Sequence, residues 1–155
     1  MKKIFIVIAL VLTMGLSAFA QKGEMSLGAN LAYNTEAEIT GVGIRYQYHL
    51  LDRLRMAPQF TYFIENDNRS AYAFDFDLHY FFPLEHMLTL YPLVGVSFTN
   101  VESFHTTDSG FGLNAGIGIQ FPLSALVNVS AEYKRALLLD LEDQSTIAFS
   151  ISYKF

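Results

Sequence analysis

Large apolar residues recur at every second position along most of this chain. The final segment, STIAFSISYKF (145–155), shows it most plainly: Ile147, Phe149, Ile151, Tyr153 and Phe155 share one face, and Thr146, Ala148, Ser150, Ser152 and Lys154 share the other. Strict alternation marks a strand whose two faces meet different surroundings. Residues 71–82 repeat the pattern, with Tyr72, Phe74, Phe76, Leu78, Tyr80 and Phe82 opposed to Ala73, Asp75, Asp77, His79 and Phe81. Six further segments follow suit, with apolar faces running over 25–33, 42–48, 54–62, 88–98, 111–121 and 127–133. No helical spacing of useful length interrupts them. The chain is therefore expected to form eight strands, most of about 9–11 residues, the length that crosses a bilayer when tilted.

The connections alternate in kind. Those at 50–53, 83–87 and 122–126 are short, those at 65–70, 100–110 and 135–144 are longer, and 34–38 is intermediate. Short turns at one end and longer loops at the other are the habit of an outer-membrane barrel, with its turns in the periplasm and, for an even strand count, both termini there too. A soluble carrier barrel of the lipocalin kind has the same alternation with its faces inverted, so the contents of the faces must decide. The apolar face carries too many rings, Phe60, Phe74, Phe76, Phe98, Phe111 and Phe149 among them, to fit within eight strands at protein packing density. The other face is small, with Gly28, Gly43, Gly95, Gly116, Gly118, Ser97, Ser150 and Ser152, and suits a crowded lumen. Aromatic residues also gather toward both ends of the apolar face, Tyr33, Tyr72, Phe98, Phe111 and Tyr133 at one and Tyr46, Tyr48, Tyr80, Phe82, Phe121, Tyr153 and Phe155 at the other, as at two lipid headgroup levels. The expected fold is all-β, an eight-stranded antiparallel up-and-down transmembrane barrel, whose last strand is a stave of the wall and needs no polar tail.

Composition sharpens this. Of 155 residues, 52% are hydrophobic, 15% aromatic and 16% charged, and the mean hydropathy is +0.27. That is too apolar for a disordered or ordinary surface-rich chain. Beyond residue 20 no run approaches the roughly 18 apolar residues of a helical span. The first twenty residues differ: Lys2 and Lys3 precede the apolar run Ile4–Leu12, and Ala18-Phe19-Ala20 follows as a small-residue cleavage pattern. Residues 1–20 are thus expected to be a cleaved signal peptide and 21–155 an outer-membrane barrel domain. There is no cysteine, so neither a disulfide framework nor a lipoprotein anchor is available. Without Lys2 and Lys3 the ten basic residues become eight against fifteen acidic ones, a formal charge of −7. That balance argues against nucleic acid as a partner.

The stretches GVGIRYQYHL (41–50), LNAGIGIQFPLSALVNVSAEYKRAL (113–137) and the closing SISYKF resemble the small OmpA/OmpX-type outer-membrane barrels of Gram-negative bacteria, known as porin-family or outer-membrane β-barrel-domain proteins. The resemblance covers everything after residue 20. It implies a place in the outer membrane of a Gram-negative cell, outer-membrane lipids as surroundings, and periplasmic chaperones and the barrel-assembly machinery as partners during biogenesis. It also implies that Phe149, Ile151, Tyr153 and Phe155 form the signal that machinery reads.

Candidate chemistry is sparse. Inward positions carry Arg45, Arg55, Glu65, Asp75, Asp77, His79, Glu132, Lys134 and Lys154. Buried charges need partners, so Arg45 and Arg55 are expected to pair with Asp75, Asp77 and Glu132, forming a structural plug in preference to a gated conduit or proton path. Tyr91 should lie over Gly118 on the neighbouring strand. GFGLNAG (110–116) is superficially like a phosphate loop, but no helix follows it. His105 and Ser109 invite comparison with barrels that deacylate lipid A through a His/Ser pair, yet the spacing departs from His-x-Ser. His49, His79 and His86 show no metal-ligand spacing, and a cation site at Asp140, Glu142 and Asp143 would be unspecific. In the segment 135–143, Leu137, Leu138, Leu139 and Leu141 either expose apolar surface to an extracellular protein or other surface ligand, or extend the adjoining strands. No cofactor is indicated. The function expected is a non-enzymatic barrel acting in envelope structure or surface interaction; the alternatives are a lipid A-modifying hydrolase and a narrow porin-like channel.

Overall fold

The computed structural model describes residues 23–66, 69–84, 87–103 and 106–155. The expected signal segment 1–20, His86 and His105 lie outside the described residues, as does the side chain of Glu65. The elements are β1 (Met25–Asn34), β2 (Ile39–Leu51), β3 (Leu54–Asn66), β4 (Arg69–Tyr80), β5 (Phe82–Pro83), β6 (Thr89–Ser103), β7 (Thr106–Pro122), β8 (Val127–Leu138) and β9 (Gln144–Lys154). The two-residue β5 continues β4 past an interruption at Phe81, so the wall has eight staves. Every neighbour is antiparallel, and the pairings β1–β9 and β4–β6 close the sheet on itself. Closure leaves no long unpaired edge within the bilayer, where an unsatisfied peptide group would cost several kcal/mol.

Alternation in sequence becomes alternation in exposure, inverted relative to a soluble protein. Leu31, Ile44, Phe74, Leu113 and Phe149 are all more than half exposed on the outside. The buried positions between them hold Arg45, Gln47, Arg55, Asp75, Asp77, His79, Asn114, Glu132 and Lys134. A continuous apolar exterior of this size is what a bilayer covers. Tyr48 is the exception in the turn-side girdle: it has the outward phase but is 7% exposed, pressed against Gly23.

The lumen admits so many side chains because glycine lets strands carry them past one another. A Cβ on Gly95 would stand 2.3 Å from Asp77 Oδ1, and one on Gly118 would stand 2.4 Å from Tyr91 Cζ. Tyr91 and Gly118 are direct register partners, and the phenol ring occupies the space the glycine leaves.

The longer connections are shorter than the sequence suggests. β6 and β7 stay in register from Thr89↔Gln120 up to Ser103↔Thr106, so most of 100–110 is a hairpin continuing above the wall. Residues 65 and 66 belong to β3, and 69 and 70 to β4. β8 runs to Leu138, which corrects the segment 135–144: Leu137 lies outside on the strand, Leu138 faces the lumen at 7% exposed, and only 139–143 are loop. Once two antiparallel strands are aligned, each further residue satisfies its backbone at no new closure cost, so the ladder outruns the apolar pattern.

Candidate functional site

The lumen is layered. At the turn end Phe81, Tyr91 and Leu93 form a buried apolar cluster, with the His49 ring stacked on Phe81 at 5.5 Å between centroids. Arg55 lies just within, its guanidinium 4.5 Å from the Phe81 ring centre and 5.3 Å from that of Tyr91. Nη1 of Arg55 donates to Gln120 Oε1 (2.8 Å) and Gln47 Oε1 (3.1 Å), and Nη2 to His79 Nδ1 (2.8 Å).

Above it, Arg45 and Glu132 make a two-pronged ion pair: Nη1 donates to Oε1 at 2.8 Å and Nη2 to Oε2. Arg45 Nε donates to Gln59 Oε1 at 2.7 Å, and the Tyr91 hydroxyl donates to Glu132 Oε1 at 2.9 Å. One layer further, Lys134 Nζ bridges Asp75 Oδ2 (2.5 Å) and Asp77 Oδ2 (3.1 Å), while the Ser97 hydroxyl and the Asn114 amide donate to the other carboxylate oxygens. A second apolar layer, Ala32, Phe63, Ala71, Ala73 and Ala148, covers these ions from the loop end.

The residues expected to form the network are thus all in the lumen, but the pairing needs correction. Arg55 meets no carboxylate among the described residues; amides, His79 and two rings receive it. Asp75 and Asp77 take Lys134, an inward residue the expected set of pairs left out. The three carboxylates and the three cations Arg45, Arg55 and Lys134 balance formally, which is what allows them all to be buried. The glutamines at 47, 59 and 120 and the Tyr91 hydroxyl were also missed. Their signal is a polar group or an odd aromatic on the inward phase.

Between the apolar layers the void beside Asp75, Ser97, Glu132 and Lys134 measures about 20 Å³. That is room for about one water. At the loop end the barrel opens instead into a vestibule of about 710 Å³. Glu36, in the turn joining β1 and β2, fastens that turn to β9: its carboxylate accepts from the Ser145 N–H at 2.6 Å and from the Thr35 hydroxyl at 2.9 Å. The slight burial of this carboxyl raises its pKa, but the hydrogen bonds from Ser145 and Thr35 outweigh that and hold it below the ordinary value.

The row Phe149, Ile151 and Tyr153 on β9, with Phe155 just beyond its end, is half or more exposed. The Phe155 N–H donates to Met25 O, and that of Lys154 to Leu126 O, so the strand is held on both sides. Leu139 is 81% exposed, whereas Leu141 folds back over Gly110. Ser109 is an exposed β7 residue paired with Asn100. Asp143 accepts from Arg135 at 3.3 Å, and no group of three or more potential metal ligands occurs among the described residues.

The model of the outer membrane protein beta-barrel domain family matches residues 6–155. No curated protein sequence matches the chain. Among solved structures, the N-terminal β-barrel domain of Pseudomonas aeruginosa OprF is similar with a TM-score of 0.74 at 14% identity, over 86% of this chain and all of that one. Ail, the attachment invasion locus protein of Yersinia pestis, aligns with a TM-score of 0.61 at 18% identity over 86% of this chain and 97% of its own. Neisserial surface protein A does so with a TM-score of 0.63 at 13% identity, again over 86% and 97%.

Proposed function

The chain belongs to the outer membrane protein β-barrel domain family, a transmembrane barrel of the outer membrane, and from that premise we propose that it acts as a closed, non-enzymatic barrel in envelope structure or surface interaction, through its extracellular end. One observation carries this: between two apolar layers, a balanced set of buried ions leaves a void of only about 20 Å³. A void of that size is too small for a hydrated ion. Likeness in fold to Ail, an attachment invasion locus protein, agrees with a surface role.

The wider setting is a Gram-negative envelope, reached by export with loss of residues 1–20. By the family resemblance, the outward row Phe149, Ile151, Tyr153 and Phe155, exposed along one face, serves as the mark for the assembly machinery. The exposed Leu139 and the vestibule rim are the parts offered to the outside. The test pairs two measurements. Planar-bilayer recordings of the purified barrel should show no steady single-channel current; steady currents overturn the closed interior. Whole cells carrying a barrel with 139–143 shortened should lose surface binding or envelope resistance while keeping the folded barrel, and unchanged behaviour overturns the role of that end.

A further inference from the structure

We propose that the vestibule binds an organic polycation whose ammonium groups alternate with methylene runs, that is, a linear polyamine. The inference rests on the closed-interior reading, since a blind pocket retains what an open lumen would pass. Two chemistries meet in this cavity. Its rim carries Glu36, Glu38, Asp108 and Glu142, drawn from the β1–β2 turn, the β7 tip and the 139–143 loop, and no described side chain lining it is basic. Its floor and flank are apolar: Phe63 caps the alanine layer, and Leu141 covers Gly110, where a Cβ would come within 2.9 Å of the leucine.

Carboxylates alone would take any cation, and an apolar floor alone would take any small hydrophobe. Together they favour a chain that offers both, with ammonium groups at the rim and methylenes against Phe63 and Leu141. About 710 Å³ lies within the size range of small-molecule sites, roughly 300–1,000 Å³. Glu36 is engaged by Ser145 and Thr35 and so fixes the wall. Glu38, Asp108 and Glu142 are exposed where they line the cavity, within reach of a cation that enters it.

The experiment titrates spermidine into the full barrel in neutral phosphatidylcholine nanodiscs, following the amide resonances of Ile39, Asp108 and Glu142. Saturable shifts confined to the vestibule are expected. Hexaamminecobalt(III), trivalent like spermidine but without methylenes, should bind about tenfold more weakly, the worth of roughly two buried methylenes. Neutralising the rim with Glu38→Gln, Asp108→Asn and Glu142→Gln together should weaken spermidine about tenfold, as three exposed ion pairs would. Leu141→Asn should narrow the preference for spermidine over the cobalt complex. Equal binding of the two trivalent cations overturns the proposal, because charge alone then suffices. Shifts that survive the triple neutralisation, or no shift at all, overturn it as well. Failure of the closed-barrel reading appears separately, as steady current through the same barrel without polyamine.

Discussion

Replacing Lys134 by methionine keeps the length of the side chain but removes its charge from between Asp75 and Asp77. Among the described residues no other cation lies within ion-pair distance of either carboxylate. After the change, Asp75 Oδ1 keeps the Ser97 hydroxyl at 2.6 Å and Asp77 Oδ1 keeps the Asn114 amide at 2.9 Å, but both Oδ2 atoms lose their donor. Breaking a buried pair from one side costs about 3–5 kcal/mol, because the remaining charge stays desolvated. The adjoining void can admit about one water, which points to the lower end of that range. Adding Asp75→Asn and Asp77→Asn removes the stranded charges, and this triple variant should regain at least half of the loss. Urea unfolding from lipid vesicles, followed by far-UV circular dichroism and gel mobility, measures both; the chain has no tryptophan to report by fluorescence. If Lys134→Met lies within about 1 kcal/mol of the parent, or the triple variant is no more stable than the single one, the ions do not hold the wall as argued.

The remaining predictions use other parts of the structure. Gly118→Ala puts a methyl group 2.4 Å from Tyr91 Cζ and should cost about 1–3 kcal/mol; Tyr91→Ala in the same chain should relieve the clash, and double-variant unfolding checks it. Single tryptophans report orientation: brominated lipid should quench Phe76→Trp strongly and Phe81→Trp weakly, and the reverse order would mean that the faces are inverted. Leu138→Asp should prevent folding or lower stability by about 2 kcal/mol or more, whereas Leu139→Asp should change it by less than about 0.5 kcal/mol, read in the same unfolding assay. The Glu36 carboxyl is held below its ordinary value, so its clasp on Ser145 is fully made above about pH 4.5 and lost as the pH falls through the lower folded value. Being exposed, the clasp contributes well under about 1 kcal/mol, but acidification or Glu36→Gln should lower the protection of the Ser145 amide against hydrogen exchange relative to its intrinsic rate at the same pH, and unchanged protection would exclude the clasp.

The wall was legible residue by residue. In β4, Phe74 and Phe76 could be placed outside and Asp75 and Asp77 inside from alternation alone, because a strand turns successive side chains to opposite faces whatever its neighbours do. The glycine-rich inward phase and the Tyr91–Gly118 contact followed from the same local rule. The ends were less legible. Nothing local distinguishes a polar hairpin that stays paired, as at Ser103↔Thr106, from a loop, and Leu138 faces the lumen only because β8 continues past the apolar pattern.

Sequence by itself determined the strand count, the inward or outward phase of residues along the alternating parts of the strands and the need for a balanced lumen, since each of these depends on period and composition. Only the closed barrel decided the partners. Arg45 finds Glu132 across 87 residues and Lys134 finds Asp75 across 59, on staves that are not neighbours in the sheet. The height at which a side chain enters the lumen, and what it meets there, is fixed by register and by the tilt that closure imposes. Those are properties of all eight staves together, and no single segment carries them.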